Sequence, residues 1–238
     1  MTRTLAARRR IVLYSGGQER RNAQIHATLL ELALRGRSRS DGTRMTYMPY
    51  THEGALPFYR RFQRRYRAFG GSSFSCIAAD DPSLIRSDAA RTIRESDIIY
   101  LAGGNTFHFL AHLKRSGLLD ELARFARRGG VVAGLSAGAL ILTPHIGLAG
   151  YPPFDRDDND VGLSRKECTG LGLVGFEFFP HFRNSKRYRE ALADYSVGSS
   201  RPVYACRDGS GVVVEGDRFT AHGDVWQFVD GHGTKLGG

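Results

Sequence analysis

Residues Gly134-Leu135-Ser136-Ala137-Gly138 form a G-x-S-x-G pattern, set directly after the apolar run Val131-Val132-Ala133 and before the helix-compatible Ala139-Leu140-Ile141-Leu142. A serine on a sharp strand-to-helix turn is pushed into a strained backbone conformation that exposes its hydroxyl. Glycines two residues to either side are needed there, because a Cβ would collide with neighbouring backbone. The amide of Ala137, at the start of the helix, would point to where a carbonyl oxygen becomes negative. The chemistry implied is nucleophilic attack on a carbonyl by Ser136. The bland alternative is a small-residue turn that only packs a strand against a helix; the strand before and the helix after favour the nucleophile.

A serine hydroxyl needs a base, normally an oriented histidine. Of the eight histidines, His181 follows the apolar run 173–179 in Pro180-His181-Phe182 and would emerge at the end of a buried strand. Spacing alone leaves His26, His52 and the others open. His108 and His112 are spaced i, i+4, but no Glu follows His108 as H-E-x-x-H requires, so no metal is expected there. A third group, a carboxylate, should fix the imidazole tautomer. Asp155, Asp157, Asp158 and Asp160 crowd one loop between Ser136 and His181, and residue chemistry does not choose among them. That loop lacks the glycine and downstream Glu of an EF-hand. Ala102-Gly103-Gly104-Asn105-Thr106 closes another apolar run; its paired glycines would let backbone approach a substrate, with the Gly104 amide as a second oxyanion donor. With no G-x-G-x-x-G and no G-x-x-x-x-G-K, no nucleotide cofactor is expected.

The elements that must position these residues are legible in the apolar pattern. Short runs at 11–14, 45–49, 74–78, 98–101 and 131–133 read as strands. They alternate with amphipathic stretches at 22–34, from 58 into the arginine run, after Asp80-Asp81-Pro82-Ser83, and at 107–127. Strands too continuously apolar to have a wet face argue for an α/β fold, a mostly parallel sheet with helices on both faces. A Pro/Asp-rich loop over 144–160 and a short helix over 188–195 follow. Runs at 203–205, 211–214, 218–220 and 225–229, broken by Asp-Gly and Glu-Gly turns, suggest antiparallel strands extending or edging the sheet. No linker or repeat divides the 238 residues, so one domain is expected, with 1–10 a flexible basic N-terminus.

Composition bounds the function. With 41% hydrophobic and 24% charged residues, the chain has an ordinary globular balance. The longest nearly apolar stretch, 131–142, is well short of the ~18–20 residues that span a bilayer. The run after the basic N-terminus is too short for an export signal. Three cysteines without CxxC spacing disfavour a disulfide framework or a zinc site and suit a reducing cytoplasm. The net charge of +10 is almost all arginine, densest in Phe58-Tyr59-Arg60-Arg61-Phe62-Gln63-Arg64-Arg65-Tyr66-Arg67. Phe58, Phe62 and Tyr66 fall on one helical stripe with the arginines opposite, which reads as a solvated helix face and not a nucleic-acid groove.

The ordered set Ala102-Gly103-Gly104-Asn105-Thr106-Phe107, Leu135-Ser136-Ala137-Gly138-Ala139, Gly170-Leu171-Gly172-Leu173-Val174 and Pro180-His181-Phe182 resembles the dipeptidase E (aspartyl dipeptidase) branch of peptidase family S51, relatives of cyanophycinase. The resemblance covers roughly residues 11–214. It implies a class I glutamine-amidotransferase-like, flavodoxin-like three-layer fold and a Ser-His-acid triad with Ser136 as nucleophile and His181 as base. The family's acid lies in an Asn-Asp segment about two dozen residues before the His. Asn159-Asp160 matches it, which makes Asp160 the expected acid and Asp158 the fallback. Gly104 and Ala137 would supply the oxyanion amides. The expected substrate is a short peptide, with N-terminal Asp, and Asn105, Arg183 and Arg207 are candidates to bind it. No cofactor, nucleic-acid partner or membrane is expected, and the protein would be a monomer or homodimer. Cyanophycinase-type chains carry Gly-Gly-Asp-Gln where this one has Gly103-Gly104-Asn105-Thr106, which favours the dipeptidase branch. The rival readings are an α/β-hydrolase-type carboxylesterase using His222 or His232, and a catalytically silent amidotransferase-like binding protein.

Overall fold

The computed structural model describes residues 9–17, 20–35 and 42–236. In chain order the elements are β1 (Arg10–Tyr14), a 3-10 turn at Arg20–Asn22, α1 (Ala23–Leu34), β2 (Arg44–Met48), α2 (Ala55–Arg67), β3 (Ser73–Cys76), α3 (Arg86–Glu95) and β4 (Ile98–Leu101). Next come α4 (Thr106–Arg115), α5 (Leu118–Arg127), β5 (Val131–Leu135), α6 (Ala137–Leu142), β6 (Glu177–Phe179) and α7 (Lys186–Val197). Five strands close the chain: β7 (Val203–Cys206), β8 (Gly211–Glu215), β9 (Arg218–His222), β10 (Val225–Val229) and β11 (His232–Leu236).

A seven-stranded sheet runs in the order β3-β2-β4-β5-β1-β8-β9, with the first five strands parallel and the last two antiparallel. Period-2 alternation divides its side chains between two cores. Val12, Tyr14, Tyr47, Tyr100 and Ala133 face α1 and α2, which contribute Ile25, Leu29, Phe62 and Tyr66. Ile11, Leu13, Ile99, Leu101 and Val132 face the other way, onto α3 to α6 and onto a second sheet. That sheet, ordered β11-β10-β7-β6, pairs β6 parallel to β7 and is otherwise antiparallel. The expected parallel sheet with helices on both faces is present. The C-terminal strands divide: β8 and β9 extend the main sheet, while β7, β10 and β11 build the second.

Local corrections have local causes. The helical stretch 107–127 is two helices, because Gly117 adopts φ +72° between them and redirects the chain. Asp80-Asp81-Pro82-Ser83 does not open a helix. Asp81 accepts bonds from the amide and hydroxyl of Ser83, and Asp80 accepts from Thr51 and His52, so both carboxylates are used in turns and α3 begins later. Desolvation pushes the Asp80 carboxyl up, but the hydrogen bonds from Thr51 and His52 outweigh it and leave the group below its ordinary range. Of the apolar run 173–179 only Glu177–Phe179 is strand. The expectation of a flexible N-terminus over 1–10 falls on residues 1–8 outside the described set, whereas Arg9 pairs with Asp217 and Arg10 begins β1.

Register brings the ends of four strands together. Leu101 pairs with Gly134 and Tyr14 with Leu135, so the segments after β4, β5 and β1 leave the sheet side by side. Because β8 is antiparallel to β1, with Gly211 opposite Tyr14, the residues entering β8 arrive at the same edge. Open α/β sheets place ligands at such carboxyl ends.

Candidate active site

Ser136 sits between β5 and α6 with φ +51° and ψ −111°, a conformation rare for a residue with a Cβ. The flanking glycines make the bend possible. A Cβ on Gly134 would lie 2.4 Å from the carbonyl carbon of Gly138, and one on Gly138 would lie 2.4 Å from the Leu101 oxygen. The turn is therefore packed backbone on backbone, which holds the hydroxyl out over the sheet edge. The Ser136 amide donates to the Tyr14 carbonyl (3.0 Å) and the Gly138 amide to that of Ala102 (3.0 Å), tying the bend to both neighbouring strands. Among the described residues no acceptor takes the amides of Ala137 or Gly104. The backbone of Gly103 lies against Ser136, with 3.5 Å between the serine Cβ and the place a Cβ on Gly103 would occupy.

His181 comes from the second sheet. Two residues past β6 it too adopts a positive φ, +56°, and its Nε2 lies 2.8 Å from Ser136 Oγ. On its other side Nδ1 lies 2.7 Å from Asp208 Oδ1. Donation of the Nδ1 proton to that carboxylate leaves Nε2 as the acceptor facing the serine hydroxyl. Strained backbone at both residues of the contact is the pattern of a site whose surroundings over-determine it.

The surroundings are identifiable. Ser15, fully buried at the end of β1, accepts the His181 amide at 2.7 Å and donates to the Cys206 carbonyl at 2.8 Å, with Asp208 Oδ1 3.2 Å away. The Phe182 amide donates to the same Cys206 carbonyl (2.9 Å), and the Gly209 amide to Gly16 (2.9 Å). Gly16 allows the close approach: a Cβ there would lie 2.8 Å from His181 Cε1 and 2.4 Å from Asp208 Oδ1. One buried hydroxyl and one glycine after β1 thus set the imidazole and its carboxylate together.

The carboxylate in contact with His181 is therefore Asp208, where Asp160 was expected. Asp160 Oδ1 lies 2.6 Å from His108 Nε2, on α4. The fallback Asp158 contributes only its carbonyl, which accepts from Asn105 (2.9 Å). Asp157 accepts from the amide and hydroxyl of Thr106, at the positive end of α4, and Asp155 accepts from the Tyr188 hydroxyl. The acidic loop is pinned to helix ends and does not reach His181. Asp208 was hidden because Asp208-Gly209 reads as a hairpin turn. The signal available was its position at the end of the apolar run 203–206, the same signal that singled out His181.

The expected substrate binders fare differently. Asn105 spends both ends of its amide on structure: Oδ1 accepts from the His108 amide (3.0 Å) and Nδ2 holds Asp158. Arg207 pairs with Asp224 (3.3 Å). Arg183 is exposed two residues beyond His181, and among the described residues it has no carboxylate within ion-pair distance. His222 lies in β9, where burial lowers its basicity, and His232 in β11 bonds a neighbouring carbonyl. Neither of these two is in contact with Ser136, which the esterase reading needed. Among the described residues there is no group of three or more metal-ligating side chains, and no helix long and apolar enough to cross a membrane.

The model of peptidase family S51 matches residues 11–222. Peptidase E of Streptomyces coelicolor is 28% identical over 195 residues, covering 77% of this chain and 72% of that protein. Peptidase E of Shewanella amazonensis is 31% identical over 147 residues, 58% of this chain and 59% of that one. The crystal structure of a peptidase from an acI-B1 actinobacterium matches with a TM-score of 0.63 over 96% of this chain and 97% of that chain, at 17% identity. A candidate peptidase E from Listeria monocytogenes matches with a TM-score of 0.66 over 90% and 97%, at 22% identity. These two structures share the fold.

Proposed function

We propose, from the premise that this chain belongs to peptidase family S51 and is a serine peptidase, that it is a dipeptidase acting on short peptides, with N-terminal aspartate the expected first residue. Ser136, His181 and Asp208 act as its triad. The observation that carries this reading is the continuous contact from Ser136 Oγ to His181 Nε2 (2.8 Å) and from His181 Nδ1 to Asp208 Oδ1 (2.7 Å).

His181 accepts the hydroxyl proton as Ser136 attacks the peptide carbonyl, and Asp208 stabilises the imidazolium that results. The negative oxygen of the tetrahedral intermediate is held by the amides of Ala137 and Gly104. His181 then passes its proton to the leaving amine, and the acyl group remains on Ser136. A water molecule, deprotonated by the same imidazole, releases the acid and restores the serine. Serine at the elbow suits hydrolysis through an ester intermediate, and the names carried by the Streptomyces and Shewanella relatives support a peptide as the substrate.

The test is hydrolysis of Asp-Leu and a panel of other dipeptides by the purified protein and by Ser136→Ala. The wild type should turn over at least the aspartyl peptide, and the variant should lose on the order of 10⁶-fold in kcat. Equal turnover by both proteins would refute the assignment of the nucleophile. Cleavage of p-nitrophenyl esters with no cleavage of any peptide would refute the substrate class. A protein that no fluorophosphonate labels at Ser136 would be a binding protein.

A further inference from the structure

Two adjoining cavities open on the face of the main sheet covered by α1 and α2. The first, of about 700 Å³, reaches the catalytic edge at Leu135 and Asp208 and carries Arg20, Arg21, Arg61 and Arg65 on its walls. The second, of about 520 Å³, shares Arg20, Arg61 and Arg65 with it and adds Arg64. Together they form a trench leading from Leu135 and Asp208 along the gap between α1 and α2. Each cavity alone falls within the ~300–1,000 Å³ that holds a compact organic ligand, so the pair offers more room than a dipeptide fills.

The trench is cationic, and four of its five arginines are open to a ligand. Arg20, Arg21, Arg61 and Arg64 are exposed, and among the described residues no carboxylate lies within 4.0 Å of their guanidinium groups. Arginines elsewhere, such as Arg35 with Glu215 and Arg124 with Glu121, have acid partners. The acidic residue among those lining the two cavities is Asp208, which faces His181. The arginine run of α2 is therefore more than the solvated helix face its periodicity suggests: part of it walls a cavity that reaches Asp208.

The position of the trench decides which part of a substrate would enter it. Gly16 packs against the Cε1 edge of His181 and against Asp208, and the next residue, Gly17, lines the first cavity together with Asp208. It thus lies on the imidazole flank of Ser136, where the leaving amine receives its proton. A chain continuing past the scissile bond would run into it.

We propose that this trench binds an acidic peptide segment on the leaving side of the scissile bond, so that among the short peptides it cleaves the enzyme prefers those continued by Asp or Glu residues over those continued by neutral ones. The inference rests on the serine-peptidase reading above for its link to catalysis. Guanidinium groups bind carboxylates with paired, charge-assisted hydrogen bonds, and an array along a groove reads a row of them. A peptide fits better than a nucleic acid, because α2 turns Phe62 and Tyr66 into the core at 1% and 0% exposure and leaves Phe58 as the one open ring of that stripe, with Arg61 over it, whereas a strand of bases stacks on several ring faces in succession.

The experiment compares peptides with the same first two residues, extended by an alanine tail or by a glutamate tail of equal length. The glutamate-tailed peptide should have the higher kcat/KM by about tenfold, and raising NaCl from about 50 to about 300 mM should erode that advantage. In Arg61→Gln/Arg64→Gln the ratio of the two kcat/KM values should fall toward one. Binding of a labelled glutamate-tailed peptide to Ser136→Ala, with and without the arginine changes, reads the trench without turnover, and a thermal melt of each variant shows that it folds. Equal kcat/KM for the two tails in the wild type would overturn the proposal, as would a preference that survives the double substitution. So would a single-stranded oligonucleotide of equal charge that displaces the peptide at lower concentration. Arginine-dependent binding of the tail by a protein that hydrolyses no peptide would support the trench and remove the peptidase reading. Hydrolysis indifferent to the tail would do the reverse.

Discussion

A carboxylate can orient an imidazole only if it reaches the nitrogen that faces away from the nucleophile, and at this edge Asp208 does so. Asp208→Asn should lower kcat by about 10⁴-fold, because an amide presents the wrong donor pattern to Nδ1. Asp160→Asn touches an exposed contact with His108 and should change kcat by less than about fivefold. Steady-state assays of the two variants side by side separate the assignments, and the opposite ranking would restore the loop acid. Ser15 acts one step further back, through the His181 amide and the Cys206 carbonyl. Ser15→Ala leaves the His181 amide without its acceptor and the Cys206 carbonyl with the Phe182 amide alone, and should destabilise the fold by about 1–3 kcal/mol in urea titrations. It should also lower kcat with little change in KM, a split that a purely structural serine would not produce.

Elements matter here through their ends. The bend between β5 and α6 is made by two glycines whose missing side chains let strand, helix and the neighbouring β4 touch. Gly138→Ala places a carbon against the Leu101 carbonyl, which is backbone and has no rotamer to yield. The expected cost is about 3 kcal/mol or more, visible as a lower thermal midpoint, and the surviving folded fraction should react slowly with a fluorophosphonate because Ser136 is displaced. On the other face, α2 shows how one helix serves two purposes. Its aromatic stripe packs Phe62 against Tyr47, Tyr66, Phe74 and Tyr100, and the arginines left outside wall the trench. Amphipathic periodicity separates those faces, but it does not say what the outer face overlooks.

In the whole molecule the site is a seam between two sheets. Ser136 and Ser15 come from the main sheet, His181 from the loop after β6, and Asp208 from the segment that crosses from β7 in the second sheet to β8 in the first. The seam is also where a cysteine lies. Cys206 is fully buried, and burial raises its thiol far above the ordinary range, with Asp224 adding to the effect; burial raises Cys168 as well. A raised thiol pKa means less thiolate at neutral pH and slower alkylation. Iodoacetamide at pH 7 should therefore leave peptide hydrolysis intact, while a fluorophosphonate abolishes it. Loss of activity with the thiol reagent, under conditions where a melt shows the protein still folded, would point to a cysteine in the chemistry.

What the amino-acid order determined by itself was local and periodic: the runs that become β1, β2, β4 and β5, the glycine-flanked bend that lifts Ser136, and the emergence of His181 from an apolar run. Each is encoded within a few residues, by steric limits on backbone or by alternation of burial. The helix after Asp80 and the unbroken 107–127 stretch failed for the same reason, since a tertiary hydrogen bond or one left-handed glycine outweighs propensity. The choice of carboxylate among many aspartates, and the meeting of Arg20 and Arg21 with Arg61 and Arg65 around a cavity that reaches Asp208, were decided only by tertiary structure. A carboxylate's role depends on which nitrogen lies within hydrogen-bond reach. That distance was set when two sheets docked and carried residues 15, 136, 181 and 208 to one edge.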